Sequence, residues 1–355
     1  MKIGILTYHR AHNYGAILQA IATRVYLQEL GHEVYYVDYW PDYHREMYKL
    51  FSWRKFRKFG IGGKCNYIRR IITRYGAIKQ RINTFEDAIS KFITPYCKPM
   101  EFPFDVVVIG SDQLWRKQGA CGYDPVYFGK NKINTPKQIT YAVSMGLMPN
   151  DNADKIRIKE LICNIHAISV REQDLSELVH ELGYQCEVNV DPTFLLTQQM
   201  WEKIVPSKMI SGKYVLYYNF QGGAFSDEEI YRFAKKRNLK VKMISGGVHQ
   251  EANEDAIPAA SVDDFISLIK NAEYVFTSSF HGLAFSIIFN KQFYASYSRN
   301  SNRAKTLLQT LGIDNRILQN KVEIPELPII DYSGINPQIQ KLRENSNNYM
   351  NQTLR

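Results

Sequence analysis

The chain reads as an α/β protein made of two parallel-sheet halves, on three observations. Short apolar runs recur along its 355 residues, each followed by a polar or glycine-bearing turn and then a helical stretch. Apart from Glu33 to Tyr39, which alternates, the runs are apolar at consecutive positions, the pattern of strands covered on both faces, as in parallel sheets. The alternation begins again after Gly212, and a chain of this length exceeds what a single core usually holds.

Taken in order, Lys2 to Tyr8 reads as a buried first strand, followed by the turn HRAHNYG and a helix from about Ala16 to Leu30, stopped at Gly31. Glu33 to Tyr39 is a second strand, Asp105 to Ile109 (DVVVI) a third and Gln138 to Val143 a fourth. A helix near Asp154 to Asn164 precedes the strand Ala167 to Val170, and a helix Glu172 to Leu182 precedes Glu187 to Val190. Asp191-Pro192 closes this half, and Thr197 to Gly212 connects it to the next. There the strands are Tyr214 to Phe220, Lys240 to Ile244, Tyr274 to Thr277 and Gln292 to Ala295. The helices are Asp227 to Arg237, Asp263 to Asn271, His281 to Phe289 and Asn302 to Leu311.

These elements divide into a Rossmann-like domain over 1–196, interrupted by an insertion at about 41–100, and a second over 213–334. The tail, 335–355, is polar and helical in propensity and is expected to pack back across both. Two such domains facing across a cleft make a GT-B-like architecture, with ligands beyond the carboxyl ends of the strands.

The net charge of +10 is local. Between Met47 and Phe85 stand eleven Lys or Arg and no acid, which accounts for the whole excess. Trp53, Phe56, Phe59, Tyr67, Ile71 and Ile72 are interleaved with these cations. A helical element of this kind suits an anionic membrane surface or a pyrophosphate-bearing substrate, and its plainer reading is a solvated face. No helix-turn-helix, RNP or zinc-finger signature accompanies it, so nucleic acid is not an expected partner. No apolar run is long enough for a spanning helix, and the start does not read as a signal peptide. The five cysteines are scattered, without a C-x-x-C pair, which points to neither a disulfide framework nor a zinc site and is consistent with a reducing cytoplasm.

Three strand-to-loop junctions place small and polar residues where a parallel sheet presents ligands. They are Tyr8 to Ala16, Ile109 to Trp115 and Phe276 to Gly282. Gly15 allows close backbone approach at a helix start, where free amides favour an anion. Asp112 reads either as a helix N-cap or as a group facing a ligand, and His281, opening a helix, either as structural or as catalytic.

The ordered set NYGA-x-LQA, GSDQLW, SVREQD and SSFHG-x-A-x-S, with the later stretch Arg303 to Arg316, resembles the polysaccharide pyruvyl transferase family. The resemblance runs from residue 1 to about 316. It implies transfer of the enolpyruvyl unit of phosphoenolpyruvate to sugar hydroxyls, giving a cyclic ketal in capsule or exopolysaccharide biosynthesis. The implied acceptor is a galactose-type residue bridged at positions 4 and 6, on an undecaprenyl-diphosphate-linked oligosaccharide at the cytoplasmic face of the membrane. It implies neither cofactor nor metal.

On the same resemblance, His281 is the acid–base or phosphate-contacting residue, and Asp112 orients or deprotonates the acceptor hydroxyl. Arg171 and Arg303 form an anion clamp with Ser278, Ser279 and Gly282, while Asn13, Gly15, Gln19 and Trp115 line the cleft. The alternative for Arg171 is an ion pair with Glu172 or Asp174. Many members similar to this chain carry Arg where it has Ser279, and Arg303 or Arg299 is expected to replace that cation. Two other functions fit the same fold: a sugar-nucleotide glycosyltransferase and a non-catalytic assembly protein at the membrane surface.

Overall fold

The structure is a computed structural model that describes residues 1–119, 121–149, 151–220, 225–245, 255–297, 302–318 and 324–355. The chain opens with β1 (Lys2–Leu6), α1 (Tyr14–Glu29) and β2 (Glu33–Val37). The insertion follows as α2 (Asp42–Tyr48), α3 (Trp53–Lys58), α4 (Ile61–Thr73) and α5 (Tyr75–Phe92). Then come β3 (Cys97–Lys98), β4 (Val106–Ile109), β5 (Gln138–Thr140), α6 (Asn152–Ile162), β6 (Ile168–Val170), α7 (Gln173–Glu181) and β7 (Cys186–Val188).

These strands build a parallel sheet in the order β3-β2-β1-β4-β5. Bridges from Ile139 to Ala167 and from Val143 to Val170 extend it to β6, which pairs in parallel with β7. The chain therefore runs outward on one side of β1, then crosses and runs outward on the other. The crevice between the ends of β1 and β4 is where such a sheet binds ligands.

After the connecting α8 (Gln198–Ile204) the plan repeats. β8 (Tyr214–Asn219), α9 (Asp227–Lys236), β9 (Lys240–Ser245), β10 (Ala256–Ile257), α10 (Val262–Asn271), β11 (Tyr274–Thr277), α11 (Phe280–Ile288), β12 (Gln292–Ala295) and α12 (Asn302–Thr310) follow in turn. Their parallel sheet runs β10-β9-β8-β11-β12, with its own crevice between β8 and β11. The α/β architecture expected from the alternation of apolar runs is what the chain adopts.

Three local outcomes differ from the sequence expectation. α1 starts two residues early, because the Asn13 side chain caps it by accepting from Ala16 N at 3.1 Å. β1 stops at Leu6, where His9 N turns back to Thr7 O at 2.8 Å. The insertion is not one solvated face. α5 buries Arg81, Phe85, Ala88, Ile89 and Phe92, whereas α4 buries nothing.

The largest apolar cluster is shared by the two halves, with α1, α10 and α11 packed together. Tyr14 shows the join: its ring stacks on Phe265 at 4.6 Å and its hydroxyl donates to Ala260 O at 2.6 Å. The last helix, α13 (Tyr332–Thr353), starts with Tyr332 Oη on Lys291 O at 2.5 Å and ends with Tyr349 Oη on Thr140 O at 2.8 Å. It ties the second sheet to the first. Among the described residues, no helix is long and apolar enough to cross a membrane.

Candidate active site

The two crevices face each other across a cleft of about 250 Å³. From the first half, Tyr8, Asn13, Asp112 and Gln113 line it; from the second, Ser278, Ser279, His281 and Arg303. Two further lining residues, His44 and Tyr48, come from α2 of the insertion. The three junctions picked out in the sequence thus meet in one place, although their chain positions lie far apart.

His281 stands on the first turn of α11, whose N-cap Ser279 accepts from Gly282 N at 3.5 Å. Its Nε2 lies 3.5 Å from Asp191 Oδ2, and the same oxygen pairs with Arg171 Nη1 at 2.8 Å. The other Asp191 oxygen accepts from Thr193 N at 2.9 Å and Thr193 Oγ1 at 2.7 Å, closing a turn. Burial alone would raise the Asp191 carboxyl, but the Arg171 guanidinium and then His281 hold it well below the usual carboxylate range.

Asp191 is thus the pivot of the site. In the sequence its DP pair signalled only a boundary turn. The carboxylate's reach to two motifs, 20 and 90 residues away, had no local signal.

Arg171 is more completely committed than the proposed clamp requires. Besides Asp191 it donates from Nη2 to Ser111 Oγ and from Nε to Ala142 O at 3.4 Å, and it does not line the cleft. Its ion-pair partner is Asp191, neither Glu172 nor Asp174. Arg303 does line the cleft. Its Nε has no hydrogen-bond partner among the described residues and stands 3.8 Å from Glu172 Oε1. The two guanidinium groups flank the Phe280 ring at 5.3 and 5.2 Å. Glu172 also accepts from Ser144 Oγ; burial raises its carboxyl while Arg303 and Arg171 oppose the rise. Arg299 lies outside the described residues.

The remaining expectations sort by distance from the cleft. Asp112 caps no helix: its Oδ1 accepts from Gln113 N at 2.8 Å in a turn, with a backbone φ of 51° that few non-glycine residues adopt. Its charge acts on Tyr8, His44, Tyr48 and Arg303, so the carboxylate sits among the cleft residues. Ser278 Oγ accepts from Phe220 N at 2.8 Å, which joins the β8 and β11 loops.

Gly15 is required for a reason other than anion approach: a Cβ there would collide with the His281 ring. A Cβ on Gly282 would collide with Thr277 Oγ1. Gln19 and Trp115 do not line the cleft. Gln19 is fully buried, donating to Thr7 Oγ1 at 2.9 Å and accepting from Ser111 N at 3.2 Å, so it holds the loop after β4 against α1. Trp115 is buried with its indole on Phe128 at 5.1 Å and its Nε1 donating to Tyr127 O at 2.9 Å. An apolar ring of that size is more stable in the core than in a wet cleft.

Sequence reasoning missed the aromatic wall. Tyr8 and His44 lie 4.5 Å apart between centroids, and Tyr48 Oη is 3.2 Å from His44 Nε2. Burial pushes the His44 imidazole down to about 4, so it is neutral near pH 7. The 44/48 spacing puts both rings on one face of α2, but nothing local says that this face turns to the cleft. His9, Asp38 and Cys97 bring potential metal-ligand atoms within 4.8 Å of one another. There Arg10 Nη2 already meets Asp38 Oδ1 at 2.8 Å and Cys97 Sγ at 3.9 Å, so a guanidinium supplies the positive charge.

A family model described as polysaccharide pyruvyl transferase matches residues 13–300. Among curated proteins none is significantly similar in sequence. Among solved structures, UDP-N-acetylglucosamine 2-epimerase from Rickettsia bellii is 10% identical with a TM-score of 0.53, over 98% of this chain and 95% of that one. UDP-GlcNAc 2-epimerase from Methanocaldococcus jannaschii is 12% identical with a TM-score of 0.48, over 97% and 92%. A spinosyn rhamnosyltransferase is 10% identical with a TM-score of 0.43, over 98% and 96%. At 10% identity the likeness to the Rickettsia bellii structure is one of fold, the GT-B-like arrangement of two Rossmann-like halves.

Proposed function

We propose, from the premise that this chain belongs to the polysaccharide pyruvyl transferase family, that its cleft transfers the enolpyruvyl unit of phosphoenolpyruvate to two hydroxyls of one sugar. The observation that carries this reading is the joint placement of His281, at the start of α11, and Arg303, whose Nε makes no hydrogen bond among the described residues, in one cleft at the sheet crevices. A donor with a carboxylate and a phosphate needs a cation and helix-end amides. His281 supplies a proton to the methylene carbon, which makes the adjacent carbon oxocarbenium-like. An acceptor hydroxyl attacks that carbon as Asp112 takes its proton and passes it to the departing phosphate. The second hydroxyl attacks the oxocarbenium-like centre so formed, closing the ketal as its proton returns to His281. Asp191 holds Nε2, which leaves Nδ1, over Gly15, to serve the reaction.

Tyr8, His44 and Tyr48 offer rings to a sugar face. The acceptor in this reading is a galactose-type residue bridged at positions 4 and 6 on an undecaprenyl-diphosphate-linked oligosaccharide. No cofactor or metal takes part in these steps. Incubation with phosphoenolpyruvate and such an acceptor should release phosphate in step with ketal formation. Arg303→Ala should raise the KM for the donor at least tenfold, in keeping with the loss of a charge-assisted contact. No phosphate release with any sugar acceptor would refute the reading.

The insertion supports work at a membrane surface. α4 buries no residue and exposes Ile61, Ile68 and Ile72 on one face, at 85%, 42% and 71%, beside Lys64, Arg69 and Arg70. Each surface cation contributes about 1 kcal/mol near anionic lipid, and the isoleucines add shallow apolar burial. Salt-sensitive co-sedimentation with anionic vesicles is expected, with little binding to neutral ones. Replacing Lys64, Arg69 and Arg70 by Glu should abolish it. Unchanged co-sedimentation of that variant at low salt would rule out membrane docking through α4.

A further inference from the structure

Met47 and Gln118 line the cleft and also line a second hollow of about 200 Å³ on its insertion side. Three cations, Arg54, Lys55 and Lys58, face this hollow against one carboxylate, Glu46. That carboxylate is already engaged: Oε1 pairs with Lys49 Nζ, and Oε2 accepts from Ser52 Oγ at 2.9 Å. The cations are not balanced in the same way. Among the described residues, Arg54 and Lys58 make no hydrogen bond or ion pair, and Lys55 Nζ reaches the Met47 carbonyl at 3.3 Å. Three converging positive charges with one satisfied acid favour an anion that carries more than one charge.

The order of residues along the two cavities matters as much as the charge. Tyr8, His44 and Tyr48 line the cleft, Met47 and Gln118 form the junction, and the cations lie beyond. A ligand with a sugar at one end and a compact polyanion at the other matches that sequence of surfaces. We propose that the hollow holds the diphosphate of the acceptor while its sugar lies in the cleft. This rests on the pyruvyl-acceptor reading above and assigns it a binding site.

A sugar diphosphate comes from two sources, a polyprenyl carrier or a nucleoside carrier. Trp53 and Phe59, which flank the three cations in the chain, are 63% and 42% exposed. Apolar surface beside the cations favours the polyprenyl source.

Calorimetric titration with inorganic pyrophosphate tests the hollow without any turnover. Wild-type protein should bind it. The triple variant Arg54→Ala, Lys55→Ala, Lys58→Ala should bind at least tenfold more weakly, and the charge-conserving triple Arg54→Lys, Lys55→Arg, Lys58→Arg should recover most of the affinity. In turnover, kcat/KM of the alanine triple should fall at least tenfold further on a diphosphate-linked acceptor than on the same glycan without phosphate. Wild-type kcat/KM should be at least tenfold higher on a polyprenyl-diphosphate acceptor than on the nucleoside-diphosphate one, and the reverse order would assign the hollow to a nucleoside carrier. Equal pyrophosphate affinity in the wild type and the alanine triple overturns the site. Weakened pyrophosphate binding in the triple, with no pyruvyl transfer to any acceptor, keeps the anion site and refutes the pyruvyl reading instead.

Discussion

Asp191→Ala is expected to destabilise the protein by about 3–5 kcal/mol, because it strands a buried guanidinium. The Asp191 side chain is fully buried and that of Arg171 is 3% exposed, so water cannot replace the lost partner. The same change releases His281 Nε2 and breaks the Thr193 turn that the other oxygen closes. Urea unfolding at pH 7 measures the effect, and a midpoint within error of wild type would show that the pair does not stabilise the fold.

The pH dependence has a definite sign. The folded carboxyl lies below its ordinary value: burial acts upward, while Arg171 and His281 outweigh it. A depressed acid contributes stability above the unfolded value, about 3.9 for Asp, and loses it as the pH falls through the folded value. Wild-type stability should therefore fall below about pH 4 with a component that is missing from Asp191→Asn. Identical acid profiles for the two proteins would contradict this.

His281→Ala is expected to lower turnover at least about a hundredfold, the usual loss for an acid–base group. Its structural cost should be much smaller than that of Asp191→Ala, since the Arg171–Asp191 pair survives. A steady-state assay of phosphate release together with a thermal melt separates the two effects. Near-wild-type turnover would remove His281 from the mechanism. A rise in donor KM with little change in kcat would make it a phosphate contact rather than a proton donor.

Much of this site is legible in the sequence. Asp112, Ser278 and Ser279 stand just past the carboxyl ends of β4 and β11, and Gly15 and His281 on the first turns of the helices that follow β1 and β11. An apolar run that stops at a small, polar turn marks such a place whatever surrounds it. Arg303 was legible only through its motif.

Other assignments turned on side-chain direction. Gln19 and Trp115 belong to cleft motifs, yet both point into the core, because a buried indole and a buried amide there find partners on Tyr127, Thr7 and Ser111. Arg171 points to the cleft wall from behind, where Asp191 awaits it.

By itself, the sequence determined the two α/β halves, the basic insertion and the three loops that meet at the cleft, because strand burial and turn composition are local properties of a few residues. The tertiary structure alone decided that Asp191 joins Arg171 to His281, that Gly15 makes room for the His281 ring, and that His44, Met47 and Tyr48 bring the insertion to the cleft. Those are contacts between segments far apart in the chain. Their energies depend on burial and on distances of a few ångströms, which local composition and periodicity do not encode.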